Sequence, residues 1–183
     1  MRSGFRYIFI GLLFIFVEIQ ITFDILPDPI GFYLIYVGLQ KIVGEQPIDS
    51  LIKSGSRLAI LLCIFSIPSI LSSNMSFNEL NFNFDPLQYG YRIFMQVLYL
   101  MLAYYIFKIM LELSKTLYVR IHNQTRIIFR LYMTALLTIN IFSPFFMNFR
   151  SGDVTELFFI IGIFVLISHF MFIIQVFRFR KIA

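Results

Sequence analysis

The candidate site residues of this sequence are Glu18, Asp24, Asp28 and His169, ionisable side chains that lie in or beside its apolar stretches. In hydrocarbon such a group must be neutral, paired or hydrated, and intramembrane acids and histidines often mark ion or proton pathways. In a cation- or proton-coupled transporter, Glu18 would titrate, Asp24 and Asp28 would form an acidic outer mouth, and His169 would be an inner relay.

Each of these residues also has a structural interpretation. Glu18 and His169 fit hydrogen bonds that join two helices, and at similar depth they could pair if the first and sixth helices are neighbours. Asp28 followed by Pro29 is typical of a helix start, and Asp24 could cap the same turn. Other polar side chains could extend a polar path or make separate interhelical bonds: Gln20, Gln96, Thr134, Thr138, Asn140 and Gln175.

The amino-acid composition indicates that these side chains lie in a lipid environment and not in water. The chain has 183 residues, of which 59% are hydrophobic and 14% charged, against about 25% charged in an ordinary soluble domain. The mean hydropathy is +0.83. These values exclude a soluble domain, a disordered chain and a small disulfide-stapled domain. They predict an all-α membrane bundle that forms one transmembrane domain over residues 1–183.

Six stretches are long enough to cross the bilayer, since a span needs roughly 20 mainly apolar residues. The second reaches that length only if it extends to Asp28 and beyond. Without Trp, tyrosines must supply any aromatic belt at the interfaces. The predicted spans cover residues 7–23, 25–43, 57–73, 91–113, 127–147 and 157–177.

The distribution of Lys and Arg predicts the orientation, because cytoplasmic segments are enriched in positive charge. With both termini inside, Arg150 is outside, Arg92 lies near the outer surface and Lys108 snorkels inward. The other 12 of the 15 cations then lie inside. The outer loops carry acidic residues instead: Asp24, Asp28, Glu79, Asp85, Asp153 and Glu156.

Spacing predicts two kinds of helix contact. Gly4 and Gly11 are seven residues apart, as are Gly31 and Gly38, so each pair lies on one face and allows the first two helices to approach closely. Lys108 and Glu112, four residues apart, are predicted to form an ion pair.

Catalytic chemistry is not expected. The sequence has no H-E-x-x-H, G-x-S-x-G or Walker pattern. Its single cysteine, Cys63, and two histidines cannot form a Cys- or His-rich metal centre, and no cofactor is expected. The spacing of Asp24 and Asp28 is similar to that of membrane prenyl and phospholipid-head transferases. The longer motif of the latter group is absent.

One turn resembles a known pattern. Pro27, Asp28, Ile30, Gly31 and Phe32 match an apolar–Pro-Asp-x-Ile-Gly-aromatic turn, whereas Pro29 stands where an aromatic is common. The pattern occurs after the first span in uncharacterised small membrane proteins of low-G+C Gram-positive bacteria. The resemblance implies a bacterial plasma membrane and no particular activity.

We therefore predict a non-enzymatic, multi-pass protein of the cell membrane that acts through partners as an accessory or regulatory subunit. Its partners would be the lipid bilayer and a membrane protein or a second copy, with no role for nucleic acid. The transporter that uses Glu18 is the first alternative. The second is an outer-leaflet lipid- or peptide-binding protein that uses the loop at residues 74–90.

Overall fold

A computed structural model of the chain describes residues 1–16, 28–42, 48–68, 86–117, 119–146 and 155–182. These residues form six helices and no strand, as the composition predicts. The helices are α1 (Arg2–Phe16), α2 (Asp28–Gln40), α3 (Ile48–Phe65), α4 (Pro86–Leu117), α5 (Val119–Phe146) and α6 (Thr155–Ile182).

The helices pack in chain order around a ring, each against the next and α6 against α1. Helices α1 and α2 run antiparallel, because Gly4 near the start of α1 faces Gly38 near the end of α2. The ring closes where Arg2 of α1 donates a hydrogen bond to the carbonyl oxygen of Lys181 in α6, at 3.3 Å.

The remaining helices also alternate in direction around the ring. The Tyr91 hydroxyl at the start of α4 donates to the Phe65 carbonyl oxygen at the end of α3. His122 Nδ1 near the start of α5 lies 3.2 Å from the Leu111 carbonyl oxygen near the end of α4. One end of the ring therefore gathers the N-termini of α1, α3 and α5 with the C-termini of α2, α4 and α6.

Aromatic side chains fill the centre of the ring. Phe107 of α4 stacks on Phe172 of α6 with ring centroids 4.5 Å apart, and Tyr132 of α5 lies 4.9 Å from Phe172. All three side chains are fully buried. Because α4 and α6 are not neighbours in the ring, these contacts cross its centre and make it a packed core.

Large apolar side chains also cover the outside of the bundle, with Ile64 57% and Phe159 69% exposed. A water-facing surface rarely carries so much apolar area. Among the described residues, three helices are long and apolar enough to cross a membrane, within Gly90–Lys115, Val119–Phe142 and Phe159–Lys181. The chain is therefore a membrane protein.

Glycines bring α1 and α2 into backbone contact, which confirms the close approach predicted from their spacing. A Cβ atom added to Gly11 would lie 2.5 Å from the Gly31 carbonyl oxygen and 2.8 Å from Ile35 Cγ1. Gly38 is equally enclosed, by Ile8 Cγ1 at 2.6 Å. Each of these glycines is followed, four residues later, by an isoleucine. That isoleucine fills the space beside a glycine of the other helix.

Helix boundaries differ from the predicted spans mainly at the basic end. Helix α3 begins at Ile48, nine residues before the predicted span, and α5 begins at Val119, eight residues before it. Hydropathy identifies the apolar part of a helix, whereas local contacts continue it into water: in α3, Ile52 packs in the core and Asp49 pairs with Lys53 one turn later. Helix α2 begins at Asp28, as the Asp-Pro pair predicts.

The predicted Lys108–Glu112 ion pair is wrong. The Glu112 carboxylate instead accepts from Lys115 Nζ at 2.7 Å, and Lys108 Nζ lies 5.5 Å from the Tyr104 ring centroid. An acid that precedes its basic partner is the better order on a helix, because it agrees with the helix dipole. Glu112 followed by Lys115 has that order, whereas Lys108 followed by Glu112 reverses it.

We expect Gly11→Ala to lower the free energy of unfolding by about 1–3 kcal/mol, the usual cost of overpacking a tight core. The new methyl group would force the α1 and α2 backbones apart. Thermal unfolding of the detergent-solubilised protein would measure the loss.

Gly162→Ala is the matched control, since nothing lies within 4 Å of a Cβ atom added there. Alanine favours helix by about 1 kcal/mol over glycine, so this variant should be no less stable than the wild type. Equal unfolding temperatures for the two variants would contradict the glycine contact.

Candidate functional site

A polar cluster formed by buried Tyr132 and His169 and half-buried Tyr99 packs against the apolar core. We call it the His169 cluster. The Tyr132 hydroxyl lies 3.1 Å from His169 Nδ1, and the Tyr99 hydroxyl lies 3.4 Å from His169 Nε2. The Tyr132 hydroxyl also donates to that of Tyr99, at 3.4 Å. The cluster therefore joins α4, α5 and α6 at one level of the bundle.

The three groups can satisfy one another fully when the imidazole is neutral. A neutral imidazole has one donor and one acceptor nitrogen, and a phenol hydroxyl both donates and accepts. With Tyr132 donating to Tyr99, Tyr99 donates to His169 Nε2 and His169 Nδ1–H donates to Tyr132. An imidazolium would donate from both nitrogens and leave one hydroxyl proton without an acceptor within the cluster.

Helix α1 encloses the cluster from one side. The Phe16 ring stacks on the His169 imidazole with centroids 4.9 Å apart and planes 15° apart. His169 itself is 8% exposed. This contact confirms that the first and sixth helices are neighbours, which was the condition for a Glu18–His169 pair.

A second buried pair lies closer to the basic end. Gln175 Nε2 of α6 donates to Thr125 Oγ1 of α5 at 2.8 Å, and both side chains are fully buried. Thr125 donates in turn to the Ile121 carbonyl oxygen. For Gln175, the interhelical interpretation of the scattered polar residues is therefore confirmed.

The predicted site residues are only partly described. Glu18 and Asp24 lie outside the described residues, as does most of the outer loop, so their roles stay predictions. Asp28 is half-buried in the first turn of α2. His169 was predicted as an interhelical hydrogen-bonder or a relay, and its bonds to Tyr99 and Tyr132 fit the first interpretation directly.

Neither tyrosine was predicted as a site residue, because tyrosine in a membrane protein is expected at the interface, where an amphipathic ring is usual. The available signal was depth, because Tyr99 and Tyr132 lie well inside the predicted spans, where a hydroxyl needs a partner.

The cluster has the chemistry of a structural hydrogen-bonded ring. Each member can pass a proton to the next, but the surrounding rings of Phe16 and Phe172 are apolar. No group of three or more His, Cys, Asp or Glu side chains that could hold a metal occurs in the part of the chain that the structure describes.

Comparison with known proteins adds no functional assignment: no family model, curated protein or solved structure matches the chain. Any function must therefore be argued from the chain's own chemistry, and the resemblance of its first turn stays a prediction.

We expect Tyr132→Phe to destabilise the bundle by about 1–3 kcal/mol, because it leaves a buried imidazole nitrogen without its closest partner. Thermal unfolding in detergent would measure the effect.

Tyr104→Phe removes the same atom from an exposed position on α4. It should change stability by less than about 0.5 kcal/mol, as surface substitutions usually do. If Tyr132→Phe were as stable as Tyr104→Phe, the cluster would not hold the helices together.

Proposed function

We propose that the chain is a non-enzymatic, multi-pass protein of the bacterial plasma membrane. It acts by binding a membrane partner through the lipid-facing side of α5. One observation carries the proposal, a line of exposed polar side chains on that face. The absence of catalytic motifs from the sequence favours binding over catalysis.

The line consists of Asn123, Arg130 and Thr134, which we call the α5 polar stripe. All three side chains are exposed. At 100° per residue they fall within about 40° of one another on the helix surface. Exposed Leu131 and Leu137 flank the stripe, so a partner would meet polar and apolar groups together.

A polar stripe that faces hydrocarbon is unfavourable, because polar side chains inside membranes usually face protein or water. Arg130 can snorkel to the interface, but Thr134 is a full turn deeper and too short to do so. No carboxylate pairs with Arg130 among the described residues. A partner helix that offers hydrogen-bond acceptors would satisfy both side chains.

We further propose six spans with both termini inside. Antiparallel packing around the ring supports alternate crossing, and most of the described cations cluster at one end, Arg92 being an exception. That end includes cations of α1, α4 and α6, among them Arg2, Arg6, Lys115, Arg180 and Lys181. Acidic Asp28 and Glu156 lie in the first turns of α2 and α6, at the opposite end. Cytoplasmic enrichment in Lys and Arg then assigns the basic end to the inside.

Single cysteines introduced in a Cys63→Ser background would test this topology. We expect an impermeant thiol reagent added to intact cells to label Ile30→Cys and Glu156→Cys, whose side chains are exposed at the outer end. Lys53→Cys and Lys115→Cys should react only after the membrane is permeabilised. Labelling of Lys53→Cys from outside would overturn the six-span arrangement.

A photo-crosslinking amino acid placed at Thr134 tests the partner interface in native membranes. We expect a discrete protein adduct from this position. Placed at Ile167, also exposed and at similar distance from the basic end, it should react with lipid. The same protein adduct from both positions, or none from Thr134, would contradict a specific interface on α5.

The transporter is the second candidate, and one contact of the His169 cluster favours it, although the cluster's hydrogen bonds fit a structural role. The cluster contacts Phe16, two residues before Glu18 in sequence, so a proton path through the first span would pass close to it. Proton and cation flux in proteoliposomes separates the candidates. Flux that folded Glu18→Gln and Asp28→Asn variants lose would replace the partner proposal, whereas no wild-type flux agrees with it.

A further inference from the structure

A basic recess lies between the start of α1 and the end of α6. It has a volume of about 460 Å³ and is lined by Arg2, Ser3, Arg6, Arg180 and Lys181. Pockets of 300–1,000 Å³ are typical of small-ligand sites. Four of its five lining residues are cations, so a ligand that enters it must be anionic.

None of these four cations forms an ion pair with a carboxylate in the described part of the chain. Arg2 donates one hydrogen bond to the Lys181 carbonyl oxygen, and its guanidinium has five N–H donors in total. Arg180 and Lys181 lie 5.4 and 5.0 Å from the centroid of the Phe177 ring. Most of the hydrogen-bond donors of these four cations are therefore not used within the described part of the chain.

The general enrichment of cytoplasmic segments in Lys and Arg explains only part of this cluster of cations. Arg180 and Lys181 are at the C-terminus of α6, where the helix dipole favours cations. Arg2 and Arg6 are in the first turns of α1, where the dipole disfavours them. A helix N-terminus that carries its own arginines attracts anions through its free N–H groups and its side chains together.

A second basic recess adjoins the first. Its lining includes Arg120, Gln124, Arg178 and Lys181, so Lys181 belongs to both. Arg120 lies in the first turn of α5, again against the helix dipole. Two N-terminal helix ends with unpaired arginines therefore flank the last turn of α6.

We propose that the recess between α1 and α6 binds a phosphate group. Guanidinium forks and helix N–H donors are the groups that proteins use for phosphate, and Ser3 adds a hydroxyl donor. The phosphate comes from an anionic lipid headgroup or from a soluble phosphate compound. The site is independent of the α5 polar stripe and of the partner proposal.

Thermal unfolding of the purified protein in micelles of a maltoside detergent, which carries no phosphate, would test the site. In separate arms, phosphatidylglycerol, inorganic phosphate and glycerol phosphate are titrated in. We expect saturable stabilisation in at least one arm. For Arg6→Gln/Lys181→Gln the half-maximal concentration should rise about 30-fold, which corresponds to about 1 kcal/mol for each cation near the surface.

Arg57→Gln/Arg126→Gln is the charge-matched control, because both arginines are exposed, on α3 and α5, and neither lines the recess between α1 and α6. It should keep wild-type binding, as should the charge-conserving Arg6→Lys/Lys181→Arg. Stabilisation by phosphatidylglycerol alone assigns the phosphate to a lipid, and stabilisation by the soluble compounds assigns it to a solute.

Two results would overturn the proposal. One is wild-type stability that none of these phosphate compounds changes relative to the detergent alone. The other is an equal loss of binding in Arg57→Gln/Arg126→Gln, because general surface charge would then account for the effect. The wild-type titration decides the first result even if a variant fails to fold.

Discussion

Backbone contact between α1 and α2 is the constraint on which the rest of the ring depends. In lipid, burial of apolar area does not drive helices together, so association relies on close packing and on polar contacts. Glycines such as Gly11 and Gly31 permit an approach that any side chain would prevent. With its partner fixed on one side, α1 presents Phe16 to His169 and Arg2 to the end of α6 on the other.

Polar side chains inside the ring differ in their contacts from those on its outward surface. Inside the ring, polar side chains form hydrogen bonds to neighbouring helices, among them Tyr132, His169, Thr125 and Gln175. A polar group without a partner costs more free energy there than one exposed to water. Outside, the cations gather at one end and the α5 polar stripe continues from that end toward the middle of the membrane. The interior groups therefore join the helices, whereas the outward groups are the ones on which the proposed recognition depends.

Much of the fold was predictable from sequence, but the site was predictable only in part. Residue type and spacing identified the close approach at Gly11 and Gly31, the start of α2 at Asp28 and the unusual position of His169. The same rules cannot state which helices face each other across a ring, so the partnership of Tyr99 and Tyr132 with His169 could not be derived. Apolar length also gave a late start for α3, because helices continue into water beyond the last lipid-facing residue.

The order of packing around the ring bears on how the protein assembles during synthesis. Among the described helices, all principal interfaces but one join helices consecutive in the chain, so each new helix can dock on the one inserted before it. The exception is the seam between α1 and α6. It closes only after the last helix has left the ribosome, so until then α1 keeps the face that carries Phe16 open to lipid or to a chaperone.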